Sequence, residues 1–197
     1  MDRQRPVAGD VQRVVLQLQP EDWWDGAGIA QRALAEQYTL VATTQVAGWP
    51  VEVYTRPPAN LQPVDATFIT SGRPEDAANS LRLAAVSAPK QELIPGDVLD
   101  VYLAWEGDAQ ALTGSEKVTL QLLDGSGRLA AQTDRPLNAV DLGAPSTAYV
   151  LSIPWQLPPG DYRLIAALYD PAQPGAPRLL TESGADFVEL AVYSTVN

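Results

Sequence analysis

From residue 81 onward, apolar side chains recur at every second position in short runs: LRLAAV (81–86), VLDVYLAW (98–105), KVTLQLL (117–123), RLAAQT (128–133), YVLSI (149–153), YRLIAALY (162–169) and FVELAVY (187–193). A period of two sends alternate side chains to opposite faces of a strand. Short strands at roughly ten-residue intervals, broken by Gly, Pro and Asp, predict an immunoglobulin-like antiparallel β-sandwich. The alternation also names the inner face. Leu99, Val101, Leu103 and Trp105 form one row, Val118, Leu120 and Leu122 a second, and Tyr162, Leu164, Ala166 and Leu168 a third. Val188, Leu190 and Val192 form the last, leaving Glu189 to solvent. No helix is expected beyond residue 66.

The first sixty residues follow another pattern. VQRVVLQL (11–18) reads as a buried strand. Ala27, Ala30, Leu34 and Tyr38 then recur three or four apart, one face of a helix over about 27–37, with Asp22 or Asp25 placed to cap its first turn. YTLVATTQV and VEVYT are two strands separated by AGWP, where Gly48 and Pro50 mark the turn. Residues 1–60 are thus predicted to be a small strand-helix-strand-strand α/β piece, too small for a large core of its own. The three prolines of RPPANLQP (56–63) resist regular structure and set the boundary with the sandwich of residues 61–197, so the chain as a whole is mainly β.

The turns have their own chemistry. IPGD (94–97) and PPGD (158–161) each place Pro before Gly ahead of a strand, the arrangement of a type II turn. DGSG (124–127) reads as a hairpin loop.

Composition narrows the function. Apolar residues make up 46% of 197, enough for a core, and 24 acids against 13 bases give a net charge of −11. No basic run offers a footprint for phosphate backbones, so no nucleic-acid partner is expected. Histidine and cysteine are absent. That removes Ser-His-Asp and Cys-His catalysis, zinc sites built on these residues, haem ligation through them and iron-sulfur clusters. No GxxxxGK[ST] loop occurs, and GAG (26–28) lacks the third glycine of a dinucleotide fingerprint, so no cofactor is expected. The apolar runs fall far short of the ~20 residues that cross a bilayer, and MDRQRPVAGD has no apolar signal-peptide core. The chain is therefore expected to insert no segment of its own into a membrane, and to be either cytoplasmic or a part of something longer.

LPPGDYRL (157–164) looks like the tyrosine corner of immunoglobulin-like domains, with Tyr162 as its tyrosine. A longer series runs through PGDVLDVYLAW, VTLQLLDGSGRLAAQTDRP and LPPGDYRLIAALYDP to RLL and DFVEL, preceded by RVVLQLQPEDWWDG and VEVYTRP. It resembles the C-terminal extracytoplasmic β-sandwich of bacterial membrane glycosyltransferases of family 39, the dolichyl-phosphate-mannose protein mannosyltransferase-like group. The resemblance covers most of residues 11–193. It departs between 136 and 148, where a Pro-Thr-Ser-x-Trp element is expected and LNAVDLGAPSTAY stands. What it implies is a non-catalytic accessory region at the extracytoplasmic membrane face or cell surface, with a glycan or the rest of such an enzyme as partner. Any sugar transfer would belong to a membrane part that this chain does not contain. The alternative is a free-standing carbohydrate-binding or cell-surface adhesion module.

Candidate binding residues are therefore aromatic and acidic. In PEDWWDG, Trp23 or Trp24 can stack on a sugar while Glu21, Asp22 or Asp25 accept hydroxyl hydrogen bonds. The competing reading, which the need for a cap favours, has the acids capping the helix and the indoles packed inside. Trp49 and Trp155 stand beside prolines at loop ends, as candidates for an exposed rim, whereas Trp105 ends a core strand. No two acids are singled out by spacing as a glycosidase pair. Asp97, Asp124, Asp161, Asp170 and Asp186 all fall in sandwich loops, but without a D-x-D-x-D pattern no metal site is assigned.

Overall fold

The computed structural model describes residues 11–18, 26–70, 80–88 and 92–195. The chain divides into two compact units, Met1–Pro57 and Pro58–Asn197.

The first unit contains β1 (Arg13–Gln17), α1 (Ile29–Ala35), β2 (Thr39–Val46) and β3 (Trp49–Thr55). The three strands form an antiparallel sheet in the order β1-β3-β2. As an edge strand β1 is not buried as expected, and Val15 is 63% exposed. The helix is shorter than its apolar spacing predicts. It starts after Gly28 (φ 62) with no side-chain cap, and Asp22 and Asp25 lie outside the described residues. Of the expected buried face only Tyr38 is buried; Ala30 and Leu34 are half-buried and Ala27 is exposed. The β2–β3 turn is also displaced from AGWP. Ala47 (φ 51) and Gly48 (φ 82) make the turn, two left-handed residues whose twist suits a two-residue hairpin, while Trp49 and Pro50 belong to β3. Pro50 lacks an N–H, but its carbonyl accepts from the Leu18 N–H.

The second unit is a β-sandwich. One antiparallel sheet has the order β4-β5-β6-β9, from Gln62–Ile69, Ser80–Ser87, Val98–Gly107 and Thr147–Ser152. The other has the order β11-β10-β7-β8, from Val188–Ser194, Asp161–Tyr169, Lys117–Asp124 and Leu129–Pro136. The three inner rows predicted on β6, β7 and β10 are all buried and join one core, in which Trp105 meets Phe68 at a ring-centroid distance of 5.9 Å. Each such Leu or Val withdrawn from water stabilises the fold by about 1.5–3 kcal/mol. Among the described residues beyond 66, two single 3-10 turns, Ala109–Ala111 and Ala139–Asp141, are the helical structure that the strand pattern did not anticipate.

Three sequence expectations are corrected here. β4 begins at Gln62, inside the segment expected to resist regular structure; an edge position and a register shift between Pro63 and Ala66 let it tolerate the proline. In β11 the register shifts so that Leu164 faces Ala191 and Ile165 faces Glu189, leaving Leu190 as the extra residue of a bulge. One residue of slip reverses the faces beyond it, so Tyr193 is buried and Val192 is 60% exposed. Finally, IPGD and PPGD are not the same turn. The Asp97 N–H donates to the Ile94 carbonyl (3.1 Å) with Gly96 at φ 82, as a type II turn requires. Gly160 instead takes φ 153, and its N–H donates to Thr195 Oγ1.

Candidate functional site

Strand register gathers four segments at one end of the sandwich. Val98 pairs with Ser152, Asp124 with Tyr162, and Asp161 with Ser194. The IPGD turn, the DGSG hairpin, the β9–β10 loop (153–160) and the end of β11 therefore lie together. The β9–β10 loop crosses from one sheet to the other, and the Tyr162 hydroxyl donates to the Pro158 carbonyl at 2.6 Å, forming the tyrosine corner. Burial raises the Tyr162 pKa, and the Asp124 charge adds to the shift.

On this loop Trp155 is 82% exposed, the largest exposure among the described large hydrophobic residues. It is nonetheless held. A Cβ built on Gly96 would lie 2.4 Å from Trp155 Cε3 and 2.5 Å from Cδ2 and Cζ3, which places the indole face directly against the glycine backbone. The Gly96 N–H donates to the Ile153 carbonyl (3.1 Å), and the Ile153 N–H to the Asp97 carbonyl (2.8 Å), so turn and loop are fixed to each other. Only glycine fits at position 96, for both its positive φ and its missing side chain.

The hairpin beside it is organised by Asp124. One carboxylate oxygen accepts from the Ser126 N–H and hydroxyl and from the Arg128 N–H; the other accepts from Arg128 Nε at 3.0 Å. These bonds, the Ser126 hydroxyl first, hold its pKa well below the usual carboxylate range. Arg128 keeps 82% of its side chain in water. Between the hairpin and residues 158–162 runs an open groove of about 590 Å³, whose lining includes Arg128, Leu129, Pro158, Pro159 and Asp161. The Asp161 carboxylate accepts one bond, from the Ser194 hydroxyl at 2.6 Å.

Trp49 opens β3 and is 41% exposed, Trp105 is buried, and Trp23, Trp24, Glu21, Asp22 and Asp25 lie outside the described residues. The loop aspartates do not converge: Asp97 accepts from the Val98 N–H, Asp186 pairs with Arg178, and Asp170 binds Ser115, Ala172 and Gln173. Among the described residues no group of three acids gathers as a metal cage would require.

The burial of four carboxylates, the loop candidate Asp170 among them, was not foreseen. Glu116 accepts from the Thr113 and Gly114 N–H groups, and Glu52 from Gln31 and Tyr54. The hydrogen bonds to Asp170, led by the Ser115 hydroxyl, lower its pKa. Asp141 accepts from Arg135, the Asn138 N–H and the Thr147 hydroxyl, and docks the 136–148 segment where the family-like element is missing. Asn138 and Asp141, three apart, form a capping box that their spacing could have signalled. Glu116 and Asp141 hold a loop or turn together, Asp170 joins its loop to Ser115, 55 positions away, and Glu52 links β3 to Gln31 of α1.

No protein-family model matches the sequence, and no curated protein does. Among solved structures, an endonuclease/exonuclease/phosphatase from Beutenbergia cavernae is similar over 78% of this chain at 19% identity, with a TM-score of 0.32. A β-glucuronidase from Bifidobacterium dentium, solved with coumarin-3-O-glucuronide, is similar over 74% at 16% identity, also with a TM-score of 0.32. The chain covers 35% of the first and 20% of the second. Likeness at that level carries no argument about function.

Proposed function

We propose that this chain is a non-catalytic accessory region of the extracytoplasmic membrane face, similar to the sandwich of family 39 membrane glycosyltransferases, and that it makes protein or glycan contacts. The observation that carries the reading is how the buried acids are used. Glu116 accepts two hydrogen bonds from its own loop, Asp170 two from its own and one from Ser115, and Asp141 one from its own loop and two from the flanking strands, which makes them stabilisers of loop conformation. The DGSGR and PPGDY motifs that carry the sequence resemblance are likewise engaged in architecture, through the Asp124 hairpin and the Tyr162 corner. Contact work then falls to exposed loops.

Fractionating the source cells and blotting with an antibody to the sandwich tests this. A membrane-associated band much larger than 21.1 kDa is expected. A band of that mass confined to the soluble fraction would reject the accessory role and favour the free-standing carbohydrate-binding module, the second reading that the exposed Trp155 supports.

A further inference from the structure

We infer that the β9–β10 end of the sandwich is a contact site for a neutral, unphosphorylated glycan, with Trp155 as the stacking platform and Arg128 and Asp161 as hydroxyl partners. This rests on the glycan-contact part of the function proposed above and names the surface that would serve it.

The platform comes first. A tryptophan carries roughly 150–250 Å² of surface that burial would stabilise, yet Trp155 is left 82% exposed while Trp105 is buried. It is not loose, because one indole face is seated on Gly96 and both backbones are tied by the bonds at Ile153. A flat apolar face is thus presented with its ordering cost already met by the fold, the condition under which a weak stacking contact gives measurable affinity. The flat C–H face of a pyranose matches such a surface.

Charge then selects the ligand class. The groove lined by the other end of the same loop holds one cation, Arg128, and two carboxylates, Asp124 and Asp161. Asp124 already neutralises the Nε side of Arg128. The guanidinium retains terminal N–H donors in water, and Asp161 has one carboxylate oxygen beyond the one bound by Ser194. Donors beside acceptors with a net negative sign suit hydroxyl groups and repel phosphate, as does a chain of net charge −11. Trp155 and Pro158 are three positions apart, so their Cα atoms are at most about 11 Å from each other, within the span of a short oligosaccharide.

The test uses the full chain, ¹⁵N-labelled, with the Trp155 indole Nε1–H and the backbone amides of Ile153 and Gly160 on the same loop followed during titration with neutral gluco-, manno- and galacto-oligosaccharides. A saturable shift with at least one series is expected. Read from the Ile153 and Gly160 amides, it should be lost in Trp155→Ala, retained in part in Trp155→Phe, and weakened about tenfold in Gly96→Ala, which displaces the indole without removing it. Arg128→Gln and Asp161→Asn should each weaken binding, and a native far-UV spectrum recorded for every variant, Gly96→Ala included, guards against misfolding. The inference is overturned if none of the sugars shifts these resonances, if the amides show Trp155→Ala binding as well as the native chain, or if only inorganic phosphate or phosphatidylcholine vesicles produce the shift. A chain that fractionates with membranes but is silent in this titration loses the present inference and keeps the accessory role.

Discussion

Replacing Tyr162 with Phe removes a single oxygen from the tyrosine corner. The ring, 2% exposed and part of the core cluster, stays in place, so hydrophobic burial is unchanged. What is lost is the 2.6 Å bond to the Pro158 carbonyl. A protein hydrogen bond contributes about 0.5–1.5 kcal/mol net, and the larger penalty for an orphaned buried acceptor does not apply. Pro158 is exposed and its carbonyl also accepts from Thr195 Oγ1 at 3.3 Å, so water can replace the phenol. The expected destabilisation is therefore about 1 kcal/mol, near 2–4 °C in Tm for a unit of this size. Urea unfolding monitored by far-UV circular dichroism measures it, and hydrogen exchange locates it. Amides of the β9–β10 loop should lose protection while those of β6 and β7 fall only by the global amount. A Tyr162→Phe protein with an unchanged midpoint and an unchanged loop would refute the reasoning, because the bond would then hold neither the fold nor the loop.

Three further outcomes follow from buried polar groups. Asp141→Ala should cost about 2–4 kcal/mol, from a lost helix-type cap and a buried Thr147 hydroxyl left without its acceptor, with little from the 40%-exposed Arg135; Thr147→Val in that background should recover part, and a loss below about 1 kcal/mol by urea unfolding would refute the assignment. Burial raises the pKa of Tyr149, Tyr169 and Tyr193, and burial followed by the Glu52 bond raises Tyr54 to about 12. A raised folded pKa means that the unfolded chain loses its protons first, so stability is intact below about pH 10 and falls above it; flat urea midpoints between about pH 9 and 11 would contradict this. Asp124 and Asp170 have lowered pKa values, so their contribution is present above 3.8 and lost as pH falls through the folded values; Ser115→Ala should flatten the acid limb of the midpoint-against-pH curve.

The sandwich was legible because its signal is periodic. Leu99, Val101, Leu103 and Trp105 are buried on β6 as alternation requires, and the same holds on β7 and β10. The rows failed where periodicity is interrupted. The bulge at Leu190 changes which face Tyr193 and Val192 occupy, and no residue type in FVELAVY announces an extra residue. β4 was hidden by Pro63 and Asp65, residues that an edge strand tolerates and a central one does not. Turn chemistry was half legible: Pro-Gly predicted a type II turn twice and formed it once, since PPGD is shaped by bonds from Gly160 and Tyr162 to Thr195 and Pro158. The partners of Gly96 were beyond any local pattern, because Trp155 lies 59 positions along the chain.

That last contact explains why one end of the sandwich is suited to meeting a partner. Loops at strand ends are ordinarily the mobile part of such a fold. Here the turn at 94–97 is tied to Ile153, the corner at Pro158 to Tyr162, Gly160 to Thr195, and the hairpin is closed on Asp124. Each bond alone is worth about 1 kcal/mol, but those at Ile153, Pro158 and Gly160 together tie the backbone of a single loop to both sheets. Rigidity of this kind adds little to core stability. Its effect is to hold the backbone that carries Trp155 while the indole stays 82% exposed, and the glycine that the type II turn already requires for its positive φ is also the one residue that leaves room for the indole face.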